Sequence, residues 1–187
     1  MTKTIETVHL AIDIQNNFFH AAYWVEDGFD EFKNNELAVL TGLKALGIPT
    51  LQIIHVEPSS EVWGKQSGHN VPMDFMPTDL DGLFEKQIHN ALTDSGLHEW
   101  LQAHNVRNVI ISGIRTEQCC ETTTRVASDF GFHVDYVTEA TLTFPMTHQA
   151  SGKTYSASEI KLKTELVLQG RFADIHTVES LLEKYAE

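Results

Sequence analysis

The chain has 187 residues, of which 42% are hydrophobic and 21% charged, which suits one globular domain with a substantial buried core. Its formal net charge of −13 argues against nucleic acid or an anionic membrane as a partner, because both require basic patches. Two adjacent cysteines cannot form a disulfide framework, and neither an N-terminal leader nor a membrane-spanning apolar run is evident, which predicts a soluble cytoplasmic protein.

The first part of the chain predicts two buried strands joined by a helix. Residues 8–12 are an apolar run that ends at Asp13, a carboxylate that must be paired or solvated there unless it only begins a turn. Leucines spaced three apart predict a helix over residues 32–46, and residues 49–56 form the second strand. Aromatic side chains follow Asp13 and either line a pocket or belong to the core: Phe18, Phe19, Tyr23 and Trp24.

A long polar loop over residues 57–78 comes next, and loops of this length in a compact domain are usually functional. Its Trp63 and His69 are candidates for covering a site. Residues 83–87 are typical of a short strand that carries Lys86, although most lysines are simply surface charges. Residues 97–104 predict a short helix that stops at Asn105.

The second part of the chain continues the alternation of strands and helices. The elements predicted there are a buried strand at 109–111 broken by Ser112 and Gly113, a helix from about Glu117 to Gly131 capped by Thr116 or Ser112, a strand at 133–137, an irregular loop at 141–155, a helix opened by a Ser156–Glu159 capping box and closed by Gly170, a strand at 173–177 and a helix at 178–185.

Strands that alternate with helices predict one domain over residues 1–187: a three-layer αβα fold with a mostly parallel, roughly six-stranded sheet. Ligands of such sheets bind at the carboxyl ends of the strands, near the point where the strand order reverses. Asp13, Lys86 and the turn that carries Cys119 all follow predicted strands. We therefore expect these three side chains at one edge of the sheet.

Cys119 and Cys120 fall in the first turn after the strand-to-helix loop. Unpaired backbone N–H groups and the helix dipole favour negative charge there, so a thiol would tend toward the thiolate, and the same N–H groups could hold an oxyanion. Many cysteines in helices are instead inert core residues. Helical periodicity alone does not choose between the two cysteines, because they lie on adjacent faces.

Taken together, three motifs resemble those of the isochorismatase-like cysteine hydrolase superfamily, which includes nicotinamidases and N-carbamoylsarcosine amidases. The first is a strand ending in Asp13-Ile14-Gln15-Asn16-Asn17-Phe18, and the second is Lys86 ahead of Asn90-Ala91-Leu92. The third is Gly113, Thr116 and Cys119 followed by Thr122–Thr124 and Gly131-Phe132. The resemblance covers nearly the whole chain, and it implies that Cys119 is the nucleophile and Cys120 a packing residue.

The resemblance also implies a reaction: cleavage of an amide or carbamoyl C–N bond through a thioester on Cys119. It implies an Asp13–Lys86–Cys119 triad, a cis peptide bond between Ile114 and Arg115, and an oxyanion hole made by the backbone N–H groups of Arg115 and Cys119. Phe18, Ile114 and Thr116 are the implied substrate-binding residues. The expected partners are a small-molecule substrate and further copies of the chain in a homo-oligomer.

Two departures from family patterns narrow the reaction. Nicotinamidases carry metal ligands as Asp-x-His after the second strand, where this chain has Ile54-His55-Val56-Glu57, so we expect no metal and no cofactor, with His55 and His69 as the residual metal candidates. Isochorismatases proper cleave a vinyl ether and typically lack the nucleophilic cysteine. An ether hydrolase and a redox sensor using Cys119-Cys120 are the alternatives. The side chain of Arg115 either pairs with a substrate carboxylate or, as we slightly favour, faces solvent.

Overall fold

A six-stranded parallel sheet forms the centre of the computed structural model, which describes residues 5–186. The strands of the sheet and of a separate two-stranded antiparallel ribbon are β1 (Thr7–Ile12), β2 (Thr50–His55), β3 (Gly82–Lys86), β4 (Asn108–Ile114), β5 (His133–Leu142), the ribbon strands β6 (Met146–Thr147) and β7 (Thr154–Tyr155), and β8 (Asp174–His176). The order across the sheet is β3-β2-β1-β4-β5-β8. The predicted parallel sheet is therefore confirmed.

Within the described residues, five α-helices cover the sheet: α1 (Phe29–Ala45), α2 (Leu97–Ala103), α3 (Glu121–Asp129), α4 (Ala157–Leu168) and α5 (Val178–Ala186). Leu43 of α1 and Leu181 of α5 pack with Ile110 on one face, whereas residues of α2, α3 and α4 pack with Val109 and Ile111 on the other. The alternation of side chains along β4 thus serves two helical layers, which confirms the predicted three-layer αβα arrangement. None of the helices in residues 5–186 is both long and apolar enough to cross a bilayer.

The structure corrects three predicted boundaries. β4 does not break at Ser112 and Gly113 but runs on to Ile114. Gly113 (φ 120°) lets β4 approach β1 more closely than a side chain would permit, since a Cβ there would lie 2.0 Å from the carbonyl oxygen of Ile12. β5 extends five residues further than predicted, to Leu142. The segment predicted as an irregular loop, 141–155, contains the β6–β7 ribbon.

Two ionisable side chains are buried together between α1 and the sheet. His9 Nε2 lies 2.7 Å from Ser112 Oγ, and the Glu36 carboxyl lies 3.9 Å from the same ring nitrogen. Burial lowers the pKa of His9 to about 3 and raises the pKa of Glu36 to about 8. Both groups are therefore mainly uncharged at neutral pH, as buried groups without a strong ionic partner should be.

We expect Glu36→Gln to remove a loss of stability that the wild type shows above about pH 6.5. The contribution of the neutral Glu36 carboxyl is complete below its ordinary pKa of 4.5 and is lost as the pH rises to about 8. The contribution of neutral His9 is present above its ordinary pKa of 6.5 and is lost as the pH falls toward about 3. The two opposite trends cancel between pH 4.5 and pH 6.5, the ordinary pKa values of the two groups. Above pH 6.5 only Glu36 still changes the free energy of unfolding, which falls by about 1.4 kcal/mol per pH unit.

Urea unfolding at about pH 5.5 and about pH 8 measures this difference. The free energy of unfolding of the wild type should fall between the two conditions. That of Glu36→Gln should instead rise by about 1.4 kcal/mol, because glutamine does not ionise and the contribution of neutral His9, which still grows with pH up to its ordinary pKa of 6.5, is no longer offset. Parallel losses in the two proteins would show that Glu36 is not the group responsible.

Candidate active site

The strand order reverses between β1 and β4, and three predicted site residues meet at the carboxyl end of this region. Asp13 follows β1, Lys86 is the last residue of β3, and Cys119 lies in the turn after β4. Lys86 Nζ is 2.8 Å from Asp13 Oδ2 and 3.3 Å from Cys119 Sγ. The topology thus brings a carboxylate, an ammonium and a thiol from distant parts of the chain into direct contact.

Asp13 and Lys86 are withdrawn from water, with side-chain exposures of 2% and 0%. Burial lowers the pKa of Lys86, but the neighbouring Asp13 and Cys119 outweigh that effect and leave the pKa raised above its ordinary value. Lys86 is therefore an ammonium ion. Asp13 has a left-handed backbone (φ 52°), a conformation that aspartate and asparagine adopt more readily than most residues. Its Oδ1 has no hydrogen-bond partner among residues 5–186.

The two cysteines lie in different surroundings. Cys119 retains 9% of its surface and contacts Lys86, whereas Cys120 is fully buried and its Sγ lies 3.7 Å from the carbonyl oxygen of Ser112. A thiol at the Cys120 position packs in the core between β4 and α3. Only Cys119 therefore combines access with ionisable neighbours.

The expectation that Cys119 rests as a thiolate is wrong. Burial raises the pKa of its thiol, Asp13 raises it further, and Lys86 lowers it by too little to compensate. The helix-dipole argument failed because it ignored both the desolvation of Sγ and the carboxylate beside it. In the resting site, a neutral thiol therefore lies beside an ionised Asp13–Lys86 pair.

The turn that carries Cys119 also differs from the expected α-helical start. Thr116–Cys120 is a π-helical turn that leads into α3, and it begins after Arg115 without the side-chain cap that was expected from Thr116 or Ser112. The Ile114–Arg115 peptide bond is cis, as the resemblance implied. The N–H groups of Gln118 and Cys120 both donate to the carbonyl oxygen of Arg115, whereas the N–H of Arg115 has no acceptor within the described part of the chain.

The side chain of Arg115 does not face solvent, so that part of the prediction is wrong. Its residue exposure is 7%, its Nη2 lies 2.8 Å from Glu117 Oε1, and its guanidinium lies over the ring of Tyr23, 4.9 Å from the centroid. Its Nε has no hydrogen-bond partner among the described residues. The same ion pair balances the negative charge of the Glu117 carboxylate.

An aromatic cluster connects Arg115 with the Lys86 side of the site. Phe18 lies 4.8 Å from Trp63, 6.5 Å from Tyr23 and 6.2 Å from Phe144 between ring centroids. Trp63 in turn lies 5.8 Å from the ring of His55, and Phe144 lies beneath the Arg115 guanidinium. Phe144 was missed because it lies in the segment predicted as an irregular loop.

The other two predicted substrate-binding residues are fully buried: Ile114 ends β4, and Thr116 begins the turn. Thr116 Oγ1 donates to Thr141 Oγ1 at 2.8 Å, and its carbonyl oxygen accepts from the hydroxyl of Tyr136. These bonds fix the turn to β5. A separate groove of about 940 Å³ lies between the β6–β7 ribbon and α4, and no residue of the Asp13–Lys86–Cys119 cluster lines it.

The residual metal candidates do not converge. His69 stacks on His20 with ring centroids 3.6 Å apart, whereas the ring nitrogens of His55 are hydrogen-bonded to Lys86 and Glu57. Within residues 5–186, the only group of three potential ligand side chains is Asp135, Asp174 and His176, far along the sheet toward β8. Lys184 Nζ already lies 2.7 Å from Asp135 Oδ1, so that group is an ion-pair network.

Comparison with known proteins places this geometry in a family. Residues 7–162 match the isochorismatase domain, and the chain is 25% identical over 178 residues to the uncharacterized isochorismatase family protein YrdC of Bacillus subtilis (strain 168), with 94% of each chain covered. A cysteine hydrolase from Pseudomonas syringae pv. phaseolicola 1448A shares the fold with a TM-score of 0.88 at 15% identity, over 98% of this chain and 94% of that chain. N-carbamoylsarcosine amidase from Thermoplasma acidophilum shares it with a TM-score of 0.71 at 15% identity, over 93% and 97%. The chain therefore belongs to the isochorismatase family.

Proposed function

We propose that this protein is a cysteine hydrolase that cleaves the C–N bond of a small amide or carbamoyl compound through a thioester on Cys119. The observation that carries the proposal is the buried contact of the Lys86 ammonium with both Asp13 and Cys119. A nucleophile, a proton acceptor and a fixed positive charge are the groups that covalent acyl transfer requires. The amidase among the structural relatives further supports C–N chemistry.

In the proposed reaction, Cys119 Sγ attacks the substrate carbonyl carbon as its proton passes to Asp13. Because the thiol pKa is raised at rest, proton transfer accompanies attack, and no standing thiolate is needed. The unpaired Oδ1 of Asp13 is the acceptor atom in this step. The backbone N–H groups of Arg115 and Cys119 donate to the oxygen as it becomes negative.

Collapse of this intermediate breaks the C–N bond, and Asp13 returns the proton to the leaving nitrogen. The products at this stage are ammonia or an amine and a thioester on Cys119. Water then attacks the thioester while Asp13 takes its proton, and protonation of the departing sulfur restores the thiol. Water is the only co-reactant that the atom balance requires.

We place Phe18, Ile114 and Thr116 at the bound substrate. Phe18 offers a ring in the aromatic cluster between Trp63 and Tyr23, and the other two residues flank the Arg115 N–H in the turn. All three residues are buried, so a substrate in contact with them is a small molecule rather than a polymer.

The test is a panel of primary amides, N-carbamoyl compounds and one vinyl ether. A coupled assay measures the release of ammonia or amine, and cleavage of the vinyl ether is measured separately. We expect turnover of at least one amide or carbamoyl compound. Cleavage of the vinyl ether with no C–N hydrolysis would contradict the proposal and would favour an isochorismatase-type ether hydrolase.

A further inference from the structure

Lys86 has a third neighbour to which the proposed chemistry gives no role. His55 is the last residue of β2 and is paired in register with Lys86, the last residue of β3. Paired residues of adjacent parallel strands point their side chains to the same face, which places the imidazole beside the ammonium. Lys86 Nζ lies 3.2 Å from His55 Nδ1. An ammonium has three N–H donors, and Asp13, Cys119 and His55 provide one acceptor for each.

The charge of Lys86 determines the protonation of His55. An ammonium can only donate, so His55 Nδ1 must present a lone pair and the single ring proton must be on Nε2. His55 Nε2 lies 3.1 Å from Glu57 Oε1, a carboxylate able to accept that proton's hydrogen bond. The chain of donors therefore runs in one direction, from Lys86 to His55 and from His55 to Glu57.

The backbone of His55 is fixed to the segment that carries Asp13. Gln15 Oε1 accepts from the N–H of His55 at 2.7 Å, and Gln15 Nε2 donates to the carbonyl oxygen of His55 at 3.0 Å. The edge of Trp63 packs near the ring, with centroids 5.8 Å apart. His55 itself is buried, with an exposure of 9%. The imidazole is thus held at a set position relative to the carboxylate and the ammonium.

We propose that His55, supported by Glu57, is a positioning residue that fixes the orientation of the Lys86 ammonium and keeps Asp13 Oδ1 free to accept the thiol proton. Without the third acceptor, one N–H of a buried ammonium would lack a partner. Asp13 Oδ1, itself unpaired, is the available substitute. A bond from Lys86 to that oxygen would occupy the atom that the reaction needs as a base. This inference rests on the proposed hydrolase function and adds a residue to its machinery.

The kinetic test compares three substitutions of His55 in the full-length protein. His55→Phe keeps the ring volume but removes the acceptor, and we expect kcat to fall roughly 10²-fold with little change in KM, because the substrate is not the group that loses a contact. His55→Asn restores an acceptor near the position of Nδ1 and should recover much of that loss. His55→Gln places its acceptor nearer the position of Nε2 and should not.

His89→Asn is the matched control, because the exposed His89 ring is 6.5 Å from that of His55 between centroids and makes no bond to Lys86. It should keep wild-type kcat. Thermal unfolding of each variant confirms that it is folded before rates are compared. A His55→Phe enzyme as fast as the wild type would overturn the proposal, and so would an equal loss of activity in His55→Phe and His55→Asn.

Nitrogen-15 NMR of histidine-labelled protein gives a readout that needs no turnover. The His55 signal is identified among the 10 histidines by its absence from the His55→Asn spectrum. We expect an unprotonated, hydrogen-bonded Nδ1 and a protonated Nε2. A proton on Nδ1 would refute the positioning role even in an active enzyme. The expected tautomer in a protein that hydrolyses no amide would instead refute the proposed function and leave the hydrogen-bond assignment intact.

Discussion

Cys119→Ala should abolish C–N hydrolysis, with kcat reduced roughly 10⁴-fold or more, whereas Cys120→Ala should retain most of the wild-type rate. The difference follows from their surroundings: Cys119 contacts Lys86 and remains accessible, and Cys120 is a fully buried core residue. Cys120→Ala should lose only about 1 kcal/mol of stability for the removed sulfur. Steady-state rates on a substrate from the amide panel, together with urea unfolding of each variant, measure both effects.

This pair of variants also separates the nucleophile from a redox role of the adjacent cysteines. A redox sensor would need both thiols, so Cys119→Ala and Cys120→Ala should then change the rate of hydrolysis equally. Similar rates in Cys119→Ala and wild type would remove Cys119 from the reaction altogether.

We expect Lys86→Met to lose activity and also about 3–5 kcal/mol of stability. Asp13 is almost completely buried, and Lys86 provides its nearest positive charge at 2.8 Å. Removal of the ammonium leaves an uncompensated carboxylate in a dry environment. In contrast, the double variant Asp13→Asn/Lys86→Met should regain much of the lost stability, since neither charge remains, while its activity stays absent.

Asparagine is the suitable replacement for Asp13 because it tolerates the left-handed backbone at this position (φ 52°). The free energies of unfolding of the two single variants and the double variant form a cycle that isolates the interaction between the side chains. Additive losses would contradict the account, because they would mean that the buried charges do not depend on each other.

The sequence predicted the position of the site because chemistry-bearing residues follow its strands. Asp13, Lys86 and Cys119 each come after an apolar run or a short strand, and the carboxyl ends of parallel strands meet at one edge of a sheet. The register could not be predicted in the same way. The hydrogen bond between His55 and Lys86 depends on which residues of β2 and β3 are paired. The sequence shows that each residue ends its strand but does not show that the two are paired.

The errors at the site came from burial. Arg115 was expected to face solvent since arginine usually does, but Glu117, Tyr23 and Phe144 enclose its guanidinium. The thiol of Cys119 was expected to ionise because its position in the chain favours negative charge, yet desolvation raises its pKa. Neither effect is visible in the spacing of residues, because both depend on which segments fold over the site.

The errors in the strands have a local cause. Ser112 and Gly113 usually interrupt a strand, but here the absence of a Cβ at Gly113 lets β4 continue against Ile12 of β1. That continuation carries the chain to the turn that holds Arg115 and Cys119. A residue pattern that suggests a break in the sheet therefore belongs to the positioning of the site.

The central claim, a thioester on Cys119, is tested most directly by the mass of the protein during turnover. Wild type and Cys119→Ala are each mixed with an amide that the wild type hydrolyses and are quenched in acid after short intervals. The masses of the intact protein and of its peptides are then measured. We expect wild type to gain the mass of the acyl group on the peptide that contains Cys119, and the adduct to be released by hydroxylamine. Steady hydrolysis by wild type with no acyl adduct, and equal hydrolysis by Cys119→Ala, would contradict the account.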